Sequence, residues 1–388
     1  MHRAARLDSV PPYLFADIDR KVAELRQRGV DVINLGIGDP DLPTPAPIVE
    51  ALAAHAADPV LHRYPDYNGH VRFREAMAAY YARRFGVRLD PEREVLGLIG
   101  SKEGIAHLTW ALAGPGDVVL VPEPGYPVYG VQARLAGAEV HWLPLVAERG
   151  FLPDLDAVPD DVRRRARLLW INYPNNPTGA VADRAFLEQA VAFCRAHDIV
   201  LASDLAYSEV GFDGYRAPSV LEVPGAREVA VEFFSLSKPY RMTGWRIGAA
   251  VGAAEVLDAL AVIKTNTDSG QFGAIQMAAI RALQPDLDAE VEAGVQVYQR
   301  RRDRVVAALR EAGLDPLVPR ATFYLWVPTP AGMTAAECAT RFLEAAGVAV
   351  TPGAAYGPHG EGYFRISLTA PDDRLDEACR RISGALRF

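Results

Sequence analysis

The chain has 388 residues, half of them hydrophobic, and its 49 acids against 41 bases give a formal net charge of −8. That length suits about two domains with a large buried core, and the acidic balance speaks against a nucleic-acid protein, whose footprint would be basic. No apolar run approaches the roughly 18 residues of a membrane span, and the N-terminal positive charge is followed by no apolar signal region.

An arm, Ser9-Val-Pro-Pro-Tyr13, leads into an amphipathic helix with Ile18, Val22 and Leu25 on one face and Gly29 closing it. Asp39-Pro-Asp-Leu-Pro-Thr-Pro45 is too rich in proline for helix or strand and reads as a loop. Short apolar runs then recur at Val95–Ile99, Val118–Val121, Glu139–Leu143, Leu168–Ile171, Ile199–Ser203, Val229–Ser235 and Ile247–Gly252. Helical patterns separate several of them, most clearly 183–197 with Leu187, Val191 and Cys194 on one face. Strands alternating with helices predict an α/β fold with a mostly parallel, seven-stranded sheet covered on both faces.

After Pro285 a long helical pattern carries Leu287, Val291, Val295, Tyr298, Val305 and Leu309 up to Gly313. The remainder reads as α+β. It has a strand at Thr322–Val327, a helix opened by the capping box Thr334-x-x-Glu337, a strand at Tyr363–Leu368, and a last helix with Leu375, Cys379, Ile382 and Leu386. The expected organisation is a large domain over 46–280 and a small α+β domain built from 1–45 and 281–388. Cys194, Cys338 and Cys379 are odd in number and fall on helix stripes, where reduced cysteine packs as a small hydrophobe; a disulfide-free, cytoplasmic protein is the simplest reading. The eight histidines lack metal-binding spacing, so no metal is expected.

In open α/β sheets ligands bind beyond the carboxyl ends of the strands. Five strand ends here carry polar groups: Gly100-Ser-Lys-Glu-Gly104, Glu123-Pro-Gly-Tyr126, Asn172-Tyr-Pro-Asn-Asn176-Pro-Thr-Gly179, Asp204-Leu-Ala-Tyr207, and Ser235-Leu-Ser237-Lys238, with Arg246 eight residues on. Gly100-Ser101-Lys102 at a helix start offers N–H groups and a positive dipole end to a phosphate, and Ser235, Ser237 and Arg246 can add to it. Tyr126 offers a flat face, Asp204 a carboxylate for a ring nitrogen, and Lys238 an amine able to condense with an aldehyde. The chain has only four lysines, so an amine at this place stands out. Phosphate, aromatic ring, basic nitrogen and aldehyde together describe pyridoxal 5′-phosphate. Singly, each residue has a plainer reading: Asp204 as a helix cap, Tyr126 as core, the Asn-rich run as a turn, Arg365 as a surface charge.

The run Ser235-Leu-Ser-Lys-Pro-Tyr-Arg-Met-Thr-Gly-Trp-Arg-Ile-Gly248, with Tyr173-Pro-Asn-Asn-Pro-Thr-Gly179 and Asp204-Leu-Ala-Tyr207, resembles the fold-type I pyridoxal-phosphate-dependent aminotransferases over essentially the whole chain. The resemblance implies that Lys238 carries the cofactor, Asp204 partners the ring nitrogen, and Tyr207 and Asn176 bond its 3′-oxygen. It implies further that Tyr126 stacks on the ring, that Ser235 and Arg246 hold the phosphate, and that Arg365 clamps the substrate α-carboxylate beside Gly38. Tyr64 matches a tyrosine that reaches the neighbouring subunit's phosphate, which implies a homodimer with shared sites.

Pro11-Pro-Tyr13-Leu-Phe-Ala-Asp-Ile-Asp-Arg-Lys21, Gly100-Ser-Lys-Glu-Gly-Ile-Ala-His107 and Lys264-Thr-Asn-Thr-Asp-Ser-Gly-Gln-Phe272 are similar to the LL-diaminopimelate aminotransferase branch. There Tyr13 and Asn266 would contact substrate, and Ser101-Lys102 would flank the phosphate. Between Tyr64 and Gly69 the loop reads Pro-Asp-Tyr-Asn, without the glutamate that plant-type members use for the distal end of the substrate. Aminotransfer from aspartate, alanine or aromatic amino acids, or a C–S β-lyase sharing the same carbanion, are the alternatives. A regulator module would need a DNA-binding segment ahead of the fold, and only about 30 residues precede the Gly36–Pro45 loop. A dinucleotide-binding fold would need a G-x-G-x-x-G between strand and helix.

Overall fold

The computed structural model describes residues 2–10 and 16–388; Tyr13 and the side chain of Ile18 lie outside what is described. Helix α1 (Ala16–Gln27) leads to a short strand β1 (Ile33–Asn34), then to α2 (Ala46–Ala56) and α3 (Val71–Phe85). Strands and helices then alternate through β2 (Val95–Leu98), α4 (Ser101–Leu112), β3 (Val118–Glu123), α5 (Val128–Ala136) and β4 (Glu139–Pro144). They continue through α6 (Asp160–Arg165), β5 (Ala166–Ile171), α7 (Arg184–His197), β6 (Val200–Asp204), β7 (Ala230–Ser235) and β8 (Gly248–Gly252). The seven strands form one sheet in the order β2-β8-β7-β6-β5-β3-β4. It is parallel except where β8 runs against β2 and β7.

The near-continuous apolar strands are what a sheet covered on both faces requires. Along β3, Val118 and Leu120 enter one core with Phe73, Tyr81 and Phe186, while Val119 and Val121 enter the other with Ile105, Tyr129 and Leu260. This period-two alternation is the strand's own geometry. Leu120 is fully buried, so Leu120→Ala would cost about 2–5 kcal/mol. β4, at the sheet edge, buries only Leu143.

The chain continues through α8 (Ala254–Thr265), α9 (Gly273–Ala282), α10 (Asp288–Glu311), β9 (Tyr324–Pro328) and α11 (Ala335–Ala346). It ends with β10 (Val348–Ala349), β11 (Thr351–Pro352), β12 (Tyr363–Ser367) and α12 (Asp372–Ala385). β11, β12 and β9 make an antiparallel sheet, and the Thr334–Glu337 capping box opens α11 as expected. A separate core gathers Phe342, Phe364, Leu375 and Ile382 with Tyr298 and Leu309.

The N-terminal segment is drawn onto this second unit by backbone pairing. Ile33 lies opposite Val348 in a parallel ladder, and Ser367 N–H donates to Leu35 O at 2.7 Å. The proline-rich loop after it is pinned by charge: Arg301, only 2% exposed, bonds both oxygens of Asp41 at 2.7 and 2.9 Å, and also Asp372 at 2.7 Å. Arg241 Nε donates to Pro43 O at 2.9 Å and accepts at its own carbonyl from Thr44 Oγ1 at 2.7 Å. These contacts lay Gly36–Gly38 against the carboxyl ends of the large sheet, three residues from Lys238 through Arg241.

Candidate active site

At the end of β2 the chain turns through Gly100 (φ +73°) into α4. A Cβ on Gly100 would lie 2.3 Å from Arg246 Nη2, so the close approach of that guanidinium requires glycine as much as the dihedral does. Ser101, Lys102, Ser235, Ser237 and Arg246 line one end of a cavity of about 420 Å³. Arg246 is itself held by Nη1 donating to Thr243 O at 2.8 Å and by Gln271 Nε2 donating to its carbonyl at 2.6 Å. Hydroxyls, a guanidinium and the N-terminus of a twelve-residue helix converge there, an arrangement suited to a phosphate.

Asp204 ends β6 in the middle of the same cavity and is 5% exposed. Tyr129 Oη donates to its Oδ2 at 2.7 Å, and Tyr129 is held flat against Trp170 with ring centroids 4.8 Å apart. Oδ1 is buried with no hydrogen-bond partner among the described residues. Burial pushes the Asp204 carboxyl up to about 6, against the pull of the Tyr129 hydroxyl, the Ala206 N–H and the Lys238 charge. An orphaned buried carboxylate oxygen is costly and fits a cationic donor within the cavity. Asn172 joins two of the strand-end loops: its Nδ2 donates to Asp204 O at 2.8 Å, and its Oδ1 accepts the Asn176 N–H at 2.9 Å. Lys238 Nζ reaches into the cavity and donates to Gly38 O at 3.3 Å.

The other end is built on β12. Arg365 is 4% exposed; Nη1 donates to Asn176 Oδ1 at 2.8 Å and Nη2 to Gly36 O at 2.6 Å. Both acceptors are neutral, and Nε is buried without a partner among the described residues. The guanidinium lies 4.1 Å from the Tyr324 ring centroid and 5.0 Å from that of Tyr356, which fixes its plane. A permanent cation with a spare N–H and no carboxylate among its two acceptors is matched to a ligand carboxylate. Tyr207 Oη lies 3.2 Å from Tyr324 Oη, and burial pushes the Tyr207 hydroxyl well above the usual phenol range, so it stays protonated. A Cβ on Gly38 would fall 1.8 Å from Tyr324 Oη, so glycine lets the loop pass over that hydroxyl.

Every cofactor residue expected from the sequence except Tyr64 lines this one cavity, as do Gly38 and Arg365. Tyr64 is 85% exposed. Asn266, expected to contact substrate, does not line the cavity of its own chain. It caps α8, where the last turn carries it outward and its Nδ2 is satisfied by Val262 O at 2.8 Å. Tyr13 lies outside the described residues. Sequence reasoning missed Tyr129, Tyr324 and Tyr356. Tyr129 stands one helical turn beyond Tyr126, and Tyr324 lies in a strand that was expected, yet neither position marks its partner.

The donor set fits pyridoxal 5′-phosphate at each point: an anion cradle, the flat ring of Tyr126, an orphaned carboxylate oxygen and a lysine amine in one cavity. The family model for aminotransferase class I and II matches residues 30–382. The chain is 54% identical to the LL-diaminopimelate aminotransferase of Moorella thermoacetica over the full length of both. It is 55% identical to that of Desulforudis audaxviator over 99% of this chain and 97% of the other. Substrate-bound BacF from Bacillus subtilis superposes with a TM-score of 0.94 at 38% identity, over 99% of this chain and 97% of its own. The chain belongs to the class I and II aminotransferases and is a pyridoxal-phosphate-dependent enzyme.

Proposed function

We propose that the protein is an LL-diaminopimelate:2-oxoglutarate aminotransferase of lysine biosynthesis. The uncompensated Arg365 guanidinium, facing the same cavity as the Lys238 amine, carries the reading that the substrate is an α-amino acid. Relatives of 50–55% identity over nearly the whole chain, named LL-diaminopimelate aminotransferases, support the choice of diaminopimelate.

When bound, pyridoxal phosphate supplies the electron sink for a carbanion at the substrate Cα. In this reading the chain's own residues do the rest. Arg365 and Asn176 orient the α-carboxylate, which fixes the Cα–H bond relative to the cavity floor. Lys238 holds the cofactor in the resting enzyme, and its Nζ, once free, carries the Cα proton. Asp204 stays ionised against a cationic ring nitrogen, a preorganised charge of the kind worth about 3–4 kcal/mol in mutational tests. Tyr207 and Asn176 donate to the ring oxygen, and Gly100–Lys102, Ser235, Ser237 and Arg246 anchor the phosphate.

The active unit is a homodimer in the cytoplasm. Tyr64, Val60 and Phe272 are exposed, and Phe272 packs near His62, two residues from Tyr64; such apolar exposure suits a second copy, to whose phosphate Tyr64 would extend. The free cysteines suit a reducing compartment.

The test is a titration of the cofactor-loaded enzyme with one amino acid at a time, without any oxo acid. LL-diaminopimelate and glutamate should each shift the cofactor absorbance; no shift with LL-diaminopimelate would overturn the substrate assignment. One feature favours a second reading: the Tyr64–Gly69 loop has no glutamate for a distal amino-acid group. A full shift with aspartate, alanine or an aromatic amino acid and none with diaminopimelate would select it. Ammonia and pyruvate formed from cystathionine, without amino transfer, would select the β-lyase instead.

A further inference from the structure

Of the four lysines, Lys264 alone is buried, at 1% exposure at the end of α8. Its Nζ donates to Asp268 Oδ1 and Oδ2 at 2.8 and 3.1 Å and to Glu103 Oε1 at 3.3 Å. Glu103 Oε1 also meets His107 Nδ1 at 2.8 Å. The ligand atoms of Glu103, His107 and Asp268 lie within 4.8 Å of one another, a spacing open to a divalent cation, but the ammonium already bonds both carboxylates. Burial works against ionisation of Asp268, yet hydrogen bonds from Lys264 and the Gly270 N–H prevail and hold its carboxyl below the usual range.

Both carboxylates lead to the phosphate end of the cavity. Glu103 lies two residues beyond Ser101, and its Oε2 accepts the Ile99 N–H at 3.1 Å, immediately before Gly100. Asp268 Oδ1 accepts the Gly270 N–H at 2.8 Å, shaping the turn from which Gln271 Nε2 donates to Arg246 O at 2.6 Å. Gln276 ties that turn to His70 through bonds of 2.7 and 2.6 Å. Thus Glu103 holds the backbone just before α4 directly, Asp268 shapes the turn whose Gln271 holds the backbone of Arg246, and one ammonium holds both carboxylates.

We propose that Lys264 is a positioning residue for the cofactor phosphate, setting the separation of the α4 N-terminus and Arg246 through Glu103 and Asp268. The proposal rests on the family assignment and not on which amino acid is the substrate. Without the ammonium, two partly buried carboxylates face each other with the lysine charge gone from between them. Their separation frees the Ile99 N–H on one side and the Gly270 turn on the other.

The experiment compares pyridoxal phosphate with pyridoxal, which lacks the phosphate, by equilibrium titration of the apoenzyme of Lys264→Met and wild type. Pyridoxal-phosphate Kd should rise at least tenfold while pyridoxal Kd stays within twofold. Inorganic phosphate should lose its competition against the cofactor by a similar factor. At saturating cofactor, kcat should remain within threefold. A purely structural role would lower the melting temperature and leave the ratio of the two affinities at the wild-type value, which would overturn the proposal. Should Lys264→Met not fold, Asp268→Asn decides: a rise of about threefold in pyridoxal-phosphate Kd alone supports the proposal, and an unchanged ratio overturns it.

Discussion

The two ends of the cavity are made in different ways. The phosphate end comes from the strand-to-helix turn at Gly100–Lys102 after β2 and the run Ser235–Arg246 between β7 and β8, three strands that lie side by side in the order β2-β8-β7. The carboxylate end joins Gly36, Asn176 and Arg365, the first and last 329 positions apart, and exists only because the N-terminal segment pairs with Val348 and Leu35 bonds Ser367. The phosphate end is thus assembled around one sheet, whereas the carboxylate end depends on the N-terminal segment meeting the C-terminal strands. Each end keeps one buried group without a partner among the described residues, Asp204 Oδ1 and Arg365 Nε.

The largest effect should come from the group that serves both ends. Lys238→Ala is expected to lower kcat by about 10⁴-fold or more with the fold intact, measured by steady-state turnover and circular dichroism. Multiple turnovers near the wild-type rate would refute its role. Arg365→Met tests the carboxylate end alone: kcat/KM for the amino acid should fall about 10³-fold, with the cofactor Kd unchanged. Arg246→Met should do the converse, weakening the cofactor and sparing substrate KM at saturating cofactor. If the two variants behave alike, the two ends are not separable.

A smaller effect is expected in stability. The Asp204 carboxyl is raised from 3.8 to about 6 by burial in the cofactor-free protein. The folded chain therefore holds a proton that the unfolded chain releases between about pH 4 and pH 6, and stability is lost as pH rises through that window. Above pH 6 the penalty is complete, on the order of 3 kcal/mol. Asp204→Asn should thus make the apoprotein more stable than wild type at pH 7, and the advantage should vanish near pH 4 in urea unfolding. A pH-independent difference would contradict the burial argument. Tyr129→Phe, which removes one hydrogen bond to Asp204, should cost about tenfold in kcat and push the Asp204 carboxyl further up.

The same contrast explains what could be read from sequence. The phosphate end was legible because its residues are contiguous and follow apolar strands, so position after a strand gave position at the rim. Arg365 and Gly38 were reached only through resemblance to a family, since nothing local marks an arginine within a short strand as a buried cation. Tyr129 and Tyr324 look like core aromatics in sequence, and only packing brings their hydroxyls to Asp204 and Tyr207. Glu103–His107 and Lys264–Asp268 both read as ordinary i,i+4 pairs, one within α4 and one running past the end of α8. Their meeting inside the protein is a consequence of how α4 and α8 pack, which no spacing rule contains. Asn266 and Tyr64 are exposed and do not line the cavity of their own chain.

The proposed reaction depends on Lys238 as the amine that carries the cofactor. Borohydride reduction of the cofactor-loaded enzyme, followed by proteolysis and peptide mass analysis, tests it directly. The pyridoxyl-phosphate label should appear on the peptide containing Lys238 and on none of those containing Lys21, Lys102 or Lys264. A label on another lysine, or no label with a fully loaded enzyme, would contradict the account.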